Sequence, residues 1–99
     1  MLSLPSNPSM KDFQEYVIAL EKERGFTGQT ATQRALLLGE EIGELFKAMR
    51  KSDGLPVDAN SRVHDVAEEM ADVFIYLCSL ANRYGIDLEQ AFRDKEEKN

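Results

Sequence analysis

Cysteine is nearly absent from this sequence, because Cys78 is the only one. A lone cysteine excludes a disulfide within the chain and favours a reducing compartment. No apolar stretch approaches the roughly 20 residues of a membrane-spanning helix, and residues 1–8 lack the basic and apolar regions of a secretory signal. These absences predict a cytoplasmic protein.

Basic residues are also scarce, with 12 Lys and Arg against 18 Asp and Glu and a formal net charge of -6. This balance argues against nonspecific binding to nucleic acid or to anionic membranes. An acidic protein can still bind an anionic phosphate substrate if metal ions screen the site. The 99 residues form one small domain, residues 1–99, and so small a core favours self-association.

Alternation of period two, the pattern of a half-buried strand, is missing as well, whereas helical apolar patterns with capping residues recur. The sequence therefore predicts an all-α fold, a four-helix bundle completed by homo-oligomerisation. The third helix is expected to carry Val63. The first helix is expected to begin at Ser9, with Asp12 in its first turn, and to stop at Gly25. The second is expected to begin at Thr30, with Gln33 in its first turn, and to stop at Asp53 and Gly54. The third is expected to begin at Asn60 or Ser61 and to stop at Gly85, and the fourth to begin at Asp87, with Gln90 in its first turn.

Two acidic pairs interrupt the apolar patterns of the second and third helices: Glu41 with Glu44, and Glu69 with Asp72. The members of each pair lie about 60° apart around the helix axis, and two antiparallel helices can bring the pairs together. Like charges at this spacing repel each other, and neither cluster contains a compensating Lys or Arg. Charges at the border of a buried face are costly without a partner, so the four carboxylates predict a cation site.

The donor atoms favour one class of metal. Oxygen-only sites suit Mg²⁺ or Mn²⁺ rather than zinc or soft metals. A di-iron carboxylate bundle requires Glu-x-x-His pairs, but the only histidine, His64, has Ser61 and Ala67 at the positions three residues away. An EF-hand is also disfavoured, since the segment at Asp53 lacks the required run of oxygen ligands.

The segments Leu38-Gly39-Glu40-Glu41-Ile42-Gly43-Glu44-Leu45 and Glu68-Glu69-Met70-Ala71-Asp72-Val73 resemble the paired ExxE and ExxD motifs of the MazG-like nucleotide pyrophosphohydrolases. This family belongs to the all-α NTP pyrophosphohydrolase superfamily. The resemblance implies Mg²⁺-dependent cleavage between the α- and β-phosphates of a (deoxy)nucleoside triphosphate, giving a monophosphate and pyrophosphate, for nucleotide-pool house-cleaning. Mn²⁺ is the expected substitute. By motif position, the implied metal ligands are Glu41, Glu44, Glu69 and Asp72.

The same resemblance implies roles for residues of the third and fourth helices. Tyr76, one turn after Asp72, would contact the sugar or base of the nucleotide. Lys95 and Asn99 match a Lys-x-x-x-Asn element that helps to hold phosphate and nucleoside.

Hydrolysis also needs an acid that takes the proton of the attacking water. The predicted catalytic residues are Glu40, as the general base, and its neighbour Glu41, with Glu68 as the second choice of base.

Alternatives remain open at this point. Within the superfamily, the motif does not separate a house-cleaning enzyme from a dUTPase-like or phosphoribosyl-ATP pyrophosphohydrolase, because metal ligands contact phosphates and not the base. Outside enzymes, a non-catalytic helical dimerisation module would also account for the large apolar sides of the second and third helices. The expected partners are a nucleoside triphosphate and further copies of this chain, in a tetramer or a dimer, and neither nucleic acid nor membrane.

Overall fold

The computed structural model describes residues 2–99, and the regular secondary structure over that range is entirely helical. The all-α prediction is therefore confirmed. None of the helices described is both long and apolar enough to cross a lipid bilayer. The helices are α1 (Met10–Arg24), α2 (Ala31–Ser52), α3 (Val66–Arg83) and α4 (Leu88–Lys98).

Local capping explains where the first two helices begin. The side chains of Ser9 and Thr30 accept hydrogen bonds from backbone N–H groups in the first turns of α1 and α2. In return, the backbone N–H of each cap donates to the side chain of Asp12 or Gln33, at 2.8 Å in both cases. These reciprocal pairs are the capping boxes that the sequence predicts.

The third helix begins later than predicted. Its N-cap is Asp65, whose carboxylate accepts a backbone hydrogen bond from the first turn of α3 at 2.7 Å. Neither Asn60 nor Ser61 caps the helix, because Asn60 N donates to the carboxylate of Asp58 at 2.9 Å and closes a turn in the connector. Val63 therefore lies in the connector and not on α3.

α3 is the central helix, because it packs against both α1 and α2, whereas α4 packs mainly against α1. α2 and α3 are antiparallel: Arg34 near the start of α2 bonds Ser79 near the end of α3, and Ala48 near the end of α2 shares a cleft with Val66. The middle of α2 consequently lies beside the first half of α3, where the second acidic pair occurs.

The core of the single chain is small, and much apolar surface remains exposed. The chain has an accessible surface of 7260 Å², whereas a compact monomer of 11.2 kDa exposes about 5,700 Å². Its radius of gyration is 15.5 Å, against about 13 Å for a compact domain of this length. The buried apolar side chains are Val17, Leu20, Ala48, Cys78 and Ala81.

Cys78 and Ser79 are the most deeply buried side chains, both with 0% exposure. Burial raises the pKa of the Cys78 thiol. The thiol therefore stays protonated at neutral pH and packs as a small apolar side chain.

Candidate active site

An open cavity lies between the middle of α2 and the first half of α3, and carboxylates dominate its lining. One carboxylate oxygen from each of Glu41, Glu69 and Asp72 lies within 4.8 Å of the other two. Glu69 is 4% exposed, and Glu41 and Asp72 are half-buried. The antiparallel packing of α2 on α3 thus gathers three of the four predicted ligands at one point. We call this space the acidic cavity.

The fourth predicted ligand, Glu44, lines the acidic cavity but lies outside the close cluster. Its carboxylate is 3.5 Å from the ammonium group of Lys47, three residues further along α2. Ion pairs at partly exposed helix positions contribute little stability. Glu44 can therefore turn from Lys47 towards a cation without a large loss of free energy.

Charge is concentrated around Glu41. Burial raises the pKa of Glu41 above its ordinary value of 4.5, and the negative charges of Asp72, Glu69, Glu44 and Glu40 raise it further. Carboxylates packed so closely disfavour their own ionised forms unless a positive charge binds between them.

The arrangement of oxygens fits a hard divalent cation. Oxygens bound to one Mg²⁺ at about 2.1 Å lie at most about 4.2 Å apart. Three oxygens already within 4.8 Å of one another need only a small contraction to bind one ion. All three donors are carboxylates, which Mg²⁺ and Mn²⁺ accept readily.

Two basic residues of the connector, Arg62 and His64, also line the acidic cavity. His64 Nδ1 is 3.2 Å from a carboxylate oxygen of Glu69 and 3.9 Å from one of Glu68. Sequence pattern assigns neither residue to the site, because a connector has no periodicity from which side-chain direction follows. The one available signal was that His64 precedes Glu68 by four residues, the spacing of a helical ion pair.

The two predicted general bases lie in different places. Glu40 lines the acidic cavity and is exposed, so it can exchange a proton with both a bound water and solvent. Glu68 is exposed as well, but it faces His64 and does not line the cavity. This placement favours Glu40.

A second, smaller cavity adjoins the acidic one, since Glu41 and Asp72 line both. Its volume is about 150 Å³, and Tyr76 forms part of its wall. The guanidinium carbon of Arg34 lies 4.6 Å from the ring centroid of Tyr76 and 5.7 Å from that of Phe26. An aromatic and cationic surface thus borders the carboxylates. We call this space the ring cavity.

Two hydrogen bonds fix the position of Arg34. Its Nε donates to Ser79 Oγ at 2.8 Å, and its Nη1 donates to Gln29 Oε1 at 2.6 Å. With both sides of the guanidinium held, the stack on Tyr76 is a preformed part of the cavity wall.

Glu21 on α1 and Arg83 at the end of α3 form a largely buried ion pair, with 2.5 Å between Oε2 and Nη2. Arg83 also donates to the carbonyl oxygens of Phe26 and Gln29, at 3.0 and 2.9 Å. Both carboxylate oxygens of Glu21 are shielded from solvent. The guanidinium of Arg83 therefore supplies the charge that compensates this buried carboxylate.

Lys95 and Asn99 are separated from both cavities. They line an open groove together with Phe74 and Phe92. A single chain therefore does not bring the Lys-x-x-x-Asn element to the carboxylates, and its contact with substrate stays a prediction.

Comparison with known proteins agrees with the motifs and the helices. The MazG nucleotide pyrophosphohydrolase domain matches residues 29–99, a span that contains every carboxylate of the acidic cavity. The chain is also similar to "Uncharacterized protein YvdC" of Bacillus subtilis (strain 168), with 28% identity over 96 residues, which cover 90% of this chain and 91% of the other. The predicted resemblance to the family is confirmed, and the chain belongs to the MazG nucleotide pyrophosphohydrolase family.

Proposed function

We propose that the protein is a Mg²⁺-dependent pyrophosphohydrolase that cleaves the α–β phosphate bond of (deoxy)nucleoside triphosphates, as a house-cleaning enzyme of the nucleotide pool. Family membership supports the reaction class. The observation that carries the proposal is the convergence of Glu41, Glu69 and Asp72 within 4.8 Å. Three carboxylates so close to one another suit a divalent cation, and a divalent cation suits a triphosphate.

Glu41, Glu69 and Asp72 would hold the cation, with Glu44 joining them when it leaves Lys47. When bound, Mg²⁺ or Mn²⁺ neutralises charge on phosphate oxygens and makes a bound water more acidic.

The residues around the carboxylates supply the other functions. Glu40 takes the proton of the attacking water at the exposed edge of the acidic cavity. Lys47 and Arg62 line the same cavity, and their charges bind phosphate oxygens. Tyr76 lies beyond Asp72, so the nucleoside end of the substrate extends into the ring cavity.

The purified protein should release pyrophosphate from nucleoside triphosphates in the presence of Mg²⁺. A nucleotide panel assayed with and without added inorganic pyrophosphatase separates pyrophosphate from orthophosphate. EDTA should stop the reaction, and Mn²⁺ should restore it.

Two results would contradict the mechanism: direct release of orthophosphate, or turnover that EDTA does not reduce. Absence of turnover with every triphosphate would instead support a non-catalytic helical module.

We also propose that the protein assembles into a tetramer. One chain exposes 7260 Å², about 1,600 Å² more than a compact monomer of its mass. A standard interface buries about 800 Å² on each partner, so the excess matches two interfaces per chain. Large apolar side chains on the helix surfaces support this: Leu36, Phe46, Met70 and Phe92 are 70%, 58%, 55% and 69% exposed.

Light scattering at micromolar concentration should therefore give about four times the 11.2 kDa of one chain. A dilution series distinguishes assembly from aggregation, because a closed tetramer holds one mass over a range of concentrations. A compact monomer at micromolar concentration would rule out the assembly.

A further inference from the structure

An open apolar groove lies between α3 and α4, and the chain itself leaves it uncovered. Phe92 on α4 is 69% exposed, and Leu77 on α3 is 41% exposed. Met70, four residues before Phe74 on the same side of α3, is 55% exposed and extends the apolar surface. Clustered apolar surface, unlike single apolar side chains, marks a contact site. The apolar side chains that line the groove are Met10, Phe74, Leu77, Leu88, Ala91 and Phe92. We call this space the α4 groove.

α4 lacks the packing that a helix of its length needs. It has 11 residues, none of them buried, and residues 89–99 are all exposed. Isolated helices shorter than about 12 residues are only marginally formed in water, because most helical stability comes from the packing of an apolar face. Within the chain α4 packs mainly against α1, which leaves Ala91 and Phe92 without a covering surface. A further surface must therefore complete the packing of α4.

The area that the chain exposes fits a second copy as this further surface. The accessible surface of 7260 Å² exceeds that of a compact monomer of the same mass by about 1,600 Å². A standard interface takes about 800 Å² from each partner. The excess therefore supplies one interface between two like chains with area to spare, and the α4 groove brings exposed apolar residues of three helices together.

The charges around the α4 groove also fit a second copy. Glu89 and Glu96 line the groove together with Arg93 and Lys95, so both signs of charge occur on one face. In a two-fold interface the same patch meets itself, with one residue of the first copy against a different residue of the second. Two copies that meet antiparallel along α4 can place basic residues against acidic ones, whereas a partner of a single charge sign would meet like charges.

We propose that a second copy of this chain covers the α4 groove in a two-fold arrangement, with α4 of each copy packed between α3 and α4 of the other. The inference rests on the proposed assembly for the presence of further copies, and it identifies the surface that joins one pair of subunits. Phe92 is the central contact, because it is the largest and most exposed apolar side chain of α4. Aromatic side chains dominate the binding energy of interfaces.

This pairing leaves the acidic cavity open. Among the residues described, none lines both the α4 groove and the acidic cavity. Glu69 and Asp72 line the acidic cavity on the side of α3 that packs against α2, whereas Phe74 and Leu77 line the α4 groove. A second copy can therefore support α3 without closing the route of substrate to the carboxylates.

Phe92→Asp tests the interface directly. Because Phe92 is 69% exposed within one chain, the substitution removes little packing inside the chain but puts unpaired charges into the proposed interface. Light scattering of the full chain at micromolar concentration should give half the mass of wild type. Circular dichroism should show that the variant remains predominantly helical. A mass equal to that of wild type would overturn the proposal.

Leu77→Asp tests whether the opposite wall belongs to the same interface. It should also halve the mass, and the double variant of Leu77→Asp with Phe92→Asp should have the same mass as either single variant. A double variant lighter than both single variants would place the two residues in different interfaces and contradict the pairing.

Leu4→Asp is the matched control. Leu4 is 41% exposed, as Leu77 is, but it precedes α1 and does not line the α4 groove. The control should keep the wild-type mass. A halved mass in Leu4→Asp would show that the loss of assembly is not specific to the α4 groove.

The tetramer and the α4 groove fail in different ways. A wild-type dimer that becomes a monomer in Phe92→Asp would refute the tetramer and support the α4 groove. A wild-type tetramer whose mass Phe92→Asp leaves unchanged would do the reverse, and a monomeric wild type would refute both. None of these masses depends on whether the protein releases pyrophosphate from a triphosphate.

Discussion

Replacing Glu41 by Gln should lower the rate of pyrophosphate release by roughly 10²- to 10⁴-fold, the effect of losing several kcal/mol of transition-state charge stabilisation. Burial and four neighbouring carboxylates act on Glu41, and its oxygen belongs to the three that meet within 4.8 Å. Asp72→Asn should have a similar effect, because Asp72 supplies another of those oxygens. Assays at saturating Mg²⁺ and circular dichroism of both variants check this.

Glu41→Gln should also stabilise the metal-free protein at neutral pH. Burial and then neighbouring carboxylates raise the pKa of Glu41 in the folded state. The native state therefore binds the proton of the Glu41 carboxyl group more tightly than the unfolded state does. The contribution of this protonation to the free energy of unfolding is fully present below the ordinary Glu41 pKa of 4.5. It is lost as pH rises through the raised pKa of the folded state. At neutral pH wild type carries the unfavourable charge, and Glu41→Gln removes it.

Denaturant unfolding with and without Mg²⁺ measures both effects. In EDTA, Glu41→Gln should be more stable than wild type at pH 7, and the difference should shrink as the solution is acidified. Added Mg²⁺ should stabilise wild type more than the variant, because the ion binds the native carboxylates. The exposed Glu23→Gln serves as the control for the loss of one surface charge. A variant that loses its helicity together with its activity would show that Glu41 is structural.

Arg83→Met should be the most destabilising of the substitutions considered. It leaves Glu21 buried without the cationic partner that it has in the described part of the chain, and it removes the donors to the carbonyls of Phe26 and Gln29. Removing one partner of a buried ion pair costs about 3–5 kcal/mol. That loss is a large part of the total stability of a small domain, and the melting temperature should fall by about 15 °C or more.

Arg93→Met is the matched control. Arg93 on α4 also pairs with a glutamate, Glu89, at 2.9 Å, but both side chains are exposed to solvent. An exposed pair of this kind contributes about 0–1 kcal/mol. At one protein concentration, the melting temperature of Arg83→Met should therefore be clearly lower than that of Arg93→Met. Equal melting temperatures for Arg83→Met and Arg93→Met would mean that the buried pair contributes no more than the surface pair.

The parts of the fold that follow from the sequence are those set by local contacts. The capping boxes of Ser9 and Thr30 involve residues three positions apart, so their spacing alone predicts where α1 and α2 begin. The start of α3 was predicted wrongly because several cap residues occur in a row. Asp65, and not Asn60 or Ser61, forms the N-cap of α3, since the backbone N–H of Asn60 is engaged in a separate turn with Asp58.

The buried charged residues Glu21 and Arg34, and the ion-pair partner Arg83, could not be predicted in the same way. Glu21, Arg34 and Arg83 belong to three helices, and each would be read as a solvated position when its helix is considered alone. Their burial arises from the packing of α1 and α2 on α3, which brings distant parts of the chain together. The acidic motif was recognisable because each pair is local, but only the packing of α2 on α3 decides that Glu41, Glu69 and Asp72 meet while Glu44 stays outside the close cluster.

Because Cys78 is completely buried, the rate at which its thiol reacts with a reagent measures how often the helices separate. A thiol-alkylating reagent reacts with the thiolate, and this sulfur is shielded from solvent and held in its protonated form. Labelling therefore proceeds only through molecules in which the packing around α3 has transiently separated. With no second cysteine in the sequence, the labelling rate of the native chain follows that separation without any engineered probe.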